Sequence, residues 1–201
     1  ARYQDLIERY LTSMDEGVLD MLNTRYLIRF DPAGQPVAEL RATANGPAWF
    51  VQEVVDAATP EEEIDALGRI ETAAVINTRE FDIRPLIGGE GEIRLEEYRP
   101  NYLRYEYTAT APGTAIFSEI YYKDGWTAYI DGIETPYFRA DYLLRGMELP
   151  AGTHTVEWRF RAPGWNTVEG VTLVASLTIL AGIIATVILV LRHERRQKTQ
   201  A

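Results

Sequence analysis

The chain contains no cysteine. That removes disulfide staples, thiolate zinc sites and cysteine nucleophiles together. It leaves the compartment open, because a domain of this size needs no staples on either side of a membrane. Histidine is almost as scarce: His154 and His193 are the only two in 201 residues, which excludes a histidine-rich metal site. Positive charge is also short. Twenty Lys and Arg face thirty Asp and Glu, a net charge of −10, the wrong sign for a general nucleic-acid partner. No GxSxG elbow, P-loop, HExxH helix, EF-hand loop or dinucleotide fingerprint occurs. Gly88-Gly89-Glu90-Gly91 is glycine-rich but leads into no helical pattern, so it reads as a loop rather than a phosphate cradle. No carboxylate pair or triad is legible, which argues against an independent hydrolase. No metal site, cofactor or catalytic residue is expected in this chain.

What the chain does have is one long uncharged run. Val171 to Leu191 reads VTLVASLTILAGIIATVILVL. As a helix it would span roughly 31 Å, the thickness of a bilayer core. The expected transmembrane helix covers 170–191 and is followed by a basic tail, 192–201. That tail holds Arg192, Arg195, Arg196 and Lys198 against Glu194, a net +3, whereas residues 1–170 carry −13. Positive flanks stay in the cytoplasm. The expected location is therefore a cytoplasmic membrane, with residues 1–169 extracytoplasmic and the C-terminus cytoplasmic. Within the span, Ala181, Gly182, Ala185 and Thr186 have the small-xxx-small spacing that admits a neighbouring helix. The chain opens Ala1-Arg2-Tyr3-Gln4, with neither an initiator Met nor an apolar signal region. It reads as the C-terminal part of a longer exported protein, whose remaining spans are expected partners.

The rest divides by periodicity into a mixed α/β subdomain over 1–81 and a β-sandwich over 91–162. Tyr3, Leu6, Ile7, Tyr10 and Leu11 recur at helical spacing, as do Met14, Val18 and Leu22. Arg25–Phe30, Val37–Arg41, Trp49–Val55 and Ala73–Asn77 are strand candidates. Between the last two, Thr59 is an N-cap, Pro60 an N1 residue and Glu62 the far end of a capping box. Ile64, Leu67 and Ile70 form the helix stripe, and Gly68 marks its stop. The acids at 61–63 read as a charge run favoured at a helix N-terminus. After Pro85, Gly88 and Gly89 the pattern is purely β: Glu92–Tyr98, Tyr102–Thr110, Thr114–Tyr122, Trp126–Asp131, Ile133–Arg139, Leu143–Leu149 and Thr155–Phe160. Short strands separated by Pro/Gly/Asn turns argue an antiparallel sandwich. Asp131-Gly132 is the strongest hairpin signal. His154, Val156, Trp158 and Phe160 fall on one face of the last strand, where His154 reads as a packed or edge residue. Trp165 suits a membrane interface. The fold class is α+β, mainly β, with a C-terminal transmembrane helix.

Residues 98–165 hold 15 of the 22 aromatics. Aromatic rings beside acids and amides hold sugars, the ring stacking on C–H faces while polar groups take the hydroxyls. The candidate glycan-binding residues are Glu119, Tyr121, Tyr122, Trp126, Arg139, Asp141 and Arg145. Alternation sets Tyr121 and Tyr122 on opposite faces, so at most one joins such a site unless the strand bulges. The competing reading is plain sandwich core with exposed tyrosines, since strands favour aromatics anyway. Arg139, Asp141 and Arg145 also flank one turn, where Glu119 and Asp141 can simply pair with the arginines.

The combined pattern resembles a known family. It is carried by Ser118-Glu119-Ile120-Tyr121-Tyr122, Gly125-Trp126-x-Ala128-Tyr129-x-Asp131-Gly132, Phe138-Arg139-Ala140-Asp141-Tyr142-x-Leu144-Arg145 and Leu149-Pro150-Ala151-Gly152-x-His154-x-Val156-Glu157. Met21 to Tyr26, Ala48 to Val51, and Tyr98-x-Pro100-Asn101-Tyr102-Leu103 add to it. Together these resemble the C-terminal region of YfhO-family bacterial membrane proteins. Asp124 stands where the family usually has Pro, and Asp141 where it usually has Asn. The resemblance implies a large polytopic parent, similar to glycosyltransferases that use lipid-linked sugars and keep their catalytic acids in an early extracytoplasmic loop. No such loop lies in this chain, so no catalytic residue carries over. What the resemblance implies here is an accessory extracytoplasmic domain plus the last membrane span. Its expected partners are the membrane, the parent's other spans and a cell-envelope glycan or lipid-linked sugar. The alternative is a structural or interaction module that binds no sugar.

Overall fold

A computed structural model describes residues 2–67 and 73–200. They form two compact units, residues 1–160 and 161–201. The first helix, α1 (Arg2–Leu6), continues into a π-helical turn at Ile7–Leu11, and α2 is Glu16–Met21. The strands β1 (Tyr26–Phe30) and β2 (Pro36–Leu40) make a separate two-stranded sheet. Next come β3 (Ala48–Phe50), β4 (Glu53–Asp56), α3 (Pro60–Ala66), β5 (Ala73–Ile76) and α4 (Thr78–Phe81). The β-rich half contains β6 (Gly91–Arg99), β7 (Tyr102–Ala109), β8 (Gly113–Ile120), β9 (Trp126–Ile130), β10 (Ile133–Thr135), β11 (Phe138–Ala140), β12 (Leu144–Leu149) and β13 (Gly152–Phe160). The second unit carries α5 (Trp165–Gln200).

Two sheets build the sandwich. One is five-stranded in the order β10-β9-β13-β7-β6, and the other six-stranded in the order β3-β8-β12-β11-β5-β4. Their inner faces meet in one apolar cluster, with Ile93, Leu103, Tyr105, Tyr107, Val156 and Trp158 opposite Phe50, Ala115, Phe117, Met147 and Leu149. The far face of the six-stranded sheet is covered by the helices: Leu6, Val18, Met21, Ile64 and Leu67 pack with Ile116, Phe138 and Leu144. A strand between two covered faces should be apolar on both sides. In β8, Ala115, Ile116 and Phe117 are accordingly all buried.

The local signals operate as their chemistry demands. Thr59 accepts the Glu62 N–H at 3.2 Å, and the Glu62 carboxylate accepts the Ala58 N–H at 2.8 Å. Gly68 and Ile70 lie outside the described residues. The Asp131-Gly132 turn has φ of 49° and 80°, the paired left-handed conformation of a tight hairpin, and Ile130 pairs with Ile133 across it.

Three strand expectations change, two of them where the chain changes partner. Trp49–Val55 is not one strand. β3 pairs antiparallel with β8, whereas β4 pairs parallel with β5 across the α3 crossover. Ile133–Arg139 is also two strands, in different sheets. Pro136 lies between them, where a missing N–H ends a ladder cheaply. Thr114–Tyr122 ends at Ile120, and Tyr121 leaves the strand to donate its N–H to the Leu143 carbonyl at 2.6 Å. Finally, the six-stranded sheet draws β3, β4 and β5 from before residue 81 and β8, β11 and β12 from after residue 91, so the two sequence regions share one sheet.

In the second unit, Thr167–Thr186 is long and apolar enough to cross a membrane. Ser176, Thr178 and Thr186 donate to the carbonyls of Thr172, Val174 and Gly182 at 2.8–2.9 Å. Their hydroxyls are thereby satisfied within the helix, as an apolar surround requires.

Candidate functional site

Arg145 lies in β12 beside β8, and only 2% of it is exposed. Its guanidinium sits 4.2 Å from the Trp126 ring centre and 4.9 Å from that of Trp158. Nε donates to the Ile120 carbonyl at 3.0 Å. Nη1 is buried without a hydrogen-bond partner, as are the neighbouring Tyr105 hydroxyl and Trp158 Nε1. Burial pushes the Arg145 pKa down and the Glu119 pKa up. Each also favours the other's charge. The cluster is a buried cation held between two indole faces with the Glu119 carboxylate near enough to favour its charge, and the low dielectric strengthens the cation–π contacts.

Tyr137 connects this cluster to a second one. Its ring packs edge-on against Trp158 at 4.9 Å and tilted against Tyr121 at 5.6 Å. Its hydroxyl donates to the Trp126 and Tyr122 carbonyls at 3.2 and 3.3 Å. Tyr121 in turn meets Phe81 of α4 edge-on at 5.9 Å. Arg139 lies over both Phe81 and Tyr121. Two clefts open on either side of the β10–β11 crossover. One of about 440 Å³ is lined by Trp126, Thr127, Ala128, Glu134, Thr135, Pro136 and Tyr137. The other, about 210 Å³, is lined by Phe81, Ile83, Phe138 and Glu148 together with the crossover residues.

The charged candidates are mostly engaged inside the domain. Arg139 pairs with Glu63 at 3.2 Å and with Glu80. Glu63, only 2% exposed, also holds Arg2 at 2.5 Å. The acids at 61–63 are thus not wholly a solvated run, because the third closes an ion network with two arginines distant in sequence. Arg139 holds the Glu80 carboxyl below its ordinary pKa.

Among the described residues Asp141 pairs with no arginine. Its carboxylate accepts the Val75 N–H at 2.8 Å, while its own N–H donates to the Val75 carbonyl at 2.8 Å. Asp141 and Tyr142 have φ of 46° and 69°, a turn that lets one residue clamp β5 with side chain and backbone together. The Asp141 carboxyl is buried and its pKa is pushed up to about 7.

Of the seven candidate residues, then, Glu119, Trp126 and Arg145 form one cluster, and Tyr121 and Arg139 another. Asp141 stands apart against β5. Tyr122 is exposed, its ring 6.5 Å from Phe160. Tyr137, Trp158 and Glu63 were not among the seven. Tyr137 was hidden because it sits between two strands that read as one.

His154 is an edge residue with two oxygen partners. Nδ1 lies 2.6 Å from the Asp131 carboxylate and Nε2 lies 3.0 Å from the Ala151 carbonyl. Both contacts raise its pKa. Gly89 packs on Gly113, where an added Cβ would fall 2.7 Å from the Gly113 Cα. The glycine-rich stretch is a loop that needs this close approach. Among the described residues no group of His, Asp and Glu could hold a metal ion.

Residues 77–172 match the family model described as bacterial membrane protein YfhO. This stretch is a YfhO-family region. It takes in α4, all of β6 to β13, both clefts' crossover and every one of the seven candidate residues. No curated protein and no solved structure matches the chain. The YfhO region and the apolar helix α5 make this a membrane-associated chain whose folded unit is mainly β.

Proposed function

We propose that residues 1–169 are an accessory extracytoplasmic domain of a polytopic membrane protein, and that the domain positions a cell-envelope glycan or lipid-linked sugar near the bilayer. The observation that carries this reading is the cleft beside Trp126 and Tyr137. It combines two aromatic side chains, the Glu134 carboxylate and the hydroxyls of Thr127 and Thr135 in about 440 Å³. The family resemblance supports it, since similar proteins transfer lipid-linked sugars. The +3 tail after the apolar helix supports the outward-facing topology. Catalytic acids belong to the rest of such a parent, and this segment is non-catalytic. The span reaches its neighbouring spans through Ala181, Gly182, Ala185 and Thr186.

The residues carrying the sugar differ in role. Trp126 lines the cleft directly. Arg145 stacks on its ring and, with Glu119, holds it in place as a positioning group. Tyr121 and Arg139 support Tyr137 from the other side. Asp141 fixes the β11–β12 turn.

A second reading has its own support: Arg139, Asp141 and Arg145 are buried and mostly bound within the domain, as expected of a module that serves only packing. One paired experiment separates them. Glycan-array and calorimetric binding by residues 1–165 is measured with Trp126→Ala alongside, and thermal unfolding is followed for both. The proposal predicts binding by the native domain and its loss in a folded variant. A folded native domain that binds no glycan supports the packing module instead.

A further inference from the structure

The β1–β2 hairpin has a face that none of the other described residues of the folded unit covers. Its register pairs Tyr26 with Leu40, Ile28 with Ala38 and Phe30 with Pro36. Directly paired residues share a face, so these six make one side wholly apolar. All six are exposed, Ile28 by 72% and Phe30 by 73%. The opposite side carries Leu27, Val37 and the Arg29–Glu39 ion pair at 2.7 Å. A two-stranded sheet is marginal without something packed on it, and a contiguous bulky apolar patch on a domain surface marks a contact.

We propose that this face docks on the lipid bilayer. The chain supplies its own reason. Only Arg161 to Gly164 separate the end of β13 from the start of α5, a tether of at most about 14 Å. With α5 in the membrane, the folded unit cannot diffuse away from the lipid surface, and an exposed apolar face has a permanent partner within reach. Charge points the same way. Residues 1–170 carry −13, yet the hairpin face itself carries no charge: Arg29 and Glu39 pair on the opposite side, and Arg41 is held by Glu16 and Asp20. An acidic domain can meet anionic headgroups without repulsion at such a place. The hairpin tip also suits the interface. Asp31 accepts the N–H groups of Ala33 and Gln35 at 2.9 and 2.8 Å. The Asp31 N–H reaches the Gln35 carbonyl at 2.9 Å. Tyr26 and Phe30 add the aromatic surface that settles at headgroup depth. This docking requires α5 to lie in a bilayer and is independent of any sugar.

The absence of cysteine makes the test direct. The full chain is reconstituted in vesicles of phosphatidylcholine and phosphatidylglycerol. Single-cysteine variants Ile28→Cys, Phe30→Cys and, on the opposite side, Val37→Cys are labelled with a polarity-sensitive fluorophore. Near-UV circular dichroism checks that each variant is folded. Lipid docking predicts blue-shifted emission at 28 and 30, most of it lost with nitroxide-labelled lipids, and a water-like signal at 37. Water-like emission at all three positions overturns the proposal. So does shielding at 28 and 30 that nitroxide lipids leave intact and that rises with protein density, which assigns the face to a second copy.

Discussion

Asp141 shows how one buried carboxyl can set a pH dependence. In the unfolded chain it titrates near about 3.9, whereas burial raises it to about 7 in the fold. Between those values the native state binds the proton more tightly, so stability falls as pH rises through the window. Below it, both states are protonated and the penalty vanishes. Asp141→Asn keeps an oxygen for the Val75 N–H, cannot ionise and tolerates the left-handed backbone. The variant should exceed the native domain by about 1–4 kcal/mol at pH 8 and match it near pH 4. Urea unfolding at both pH values measures this, and equal differences at the two would exclude the ionisation account. The two tryptophans beside Arg145 should behave differently. Trp158 is fully buried, so Trp158→Ala should cost about 3–5 kcal/mol. Trp126 is half-buried, so its loss should cost about 1–3 kcal/mol and leave a folded domain for the binding comparison.

Elements were legible where their signals are local. The Thr59 cap, the Asp131-Gly132 turn and the uncharged run of α5 each rest on a few neighbouring residues or on one composition. Strand division was not, because Trp49–Val55 and Ile133–Arg139 keep a β composition while changing partner. Periodicity reports which face is buried and carries nothing about which strand lies alongside. The candidate site was legible as an aromatic, charged neighbourhood, and Trp126 does line a cleft. The network of Arg2, Glu63, Glu80 and Arg139 was not, since its members come from four separate elements. Packing across strands also fixes what a glycine is for. Gly146 lies opposite Phe138, and a Cβ there would come within 2.3 Å of the Phe138 ring. Gly146→Ala should therefore destabilise by about 1–3 kcal/mol, a drop that chemical denaturation can read. An unchanged midpoint would mean that the ring moves aside freely.

At the scale of the whole molecule, the proposed arrangement is a folded β unit at the outer face of a membrane, anchored by one apolar helix. The acidic domain, the apolar helix and the basic tail are three consecutive zones of one chain, and their charge order supports the proposed orientation. If the orientation were reversed, neither an envelope glycan nor an outer-leaflet sugar carrier could reach the Trp126 cleft. The most direct measurement uses the native lack of cysteine again. Tyr122→Cys, at an exposed position, is expressed with a reporter that works only in the cytoplasm fused after Ala201, within the proposed polytopic parent freed of any other cysteine. The account predicts that a membrane-impermeant maleimide labels residue 122 in intact cells and that the reporter is active. Labelling only after the cells are broken open, with a silent reporter, would contradict it.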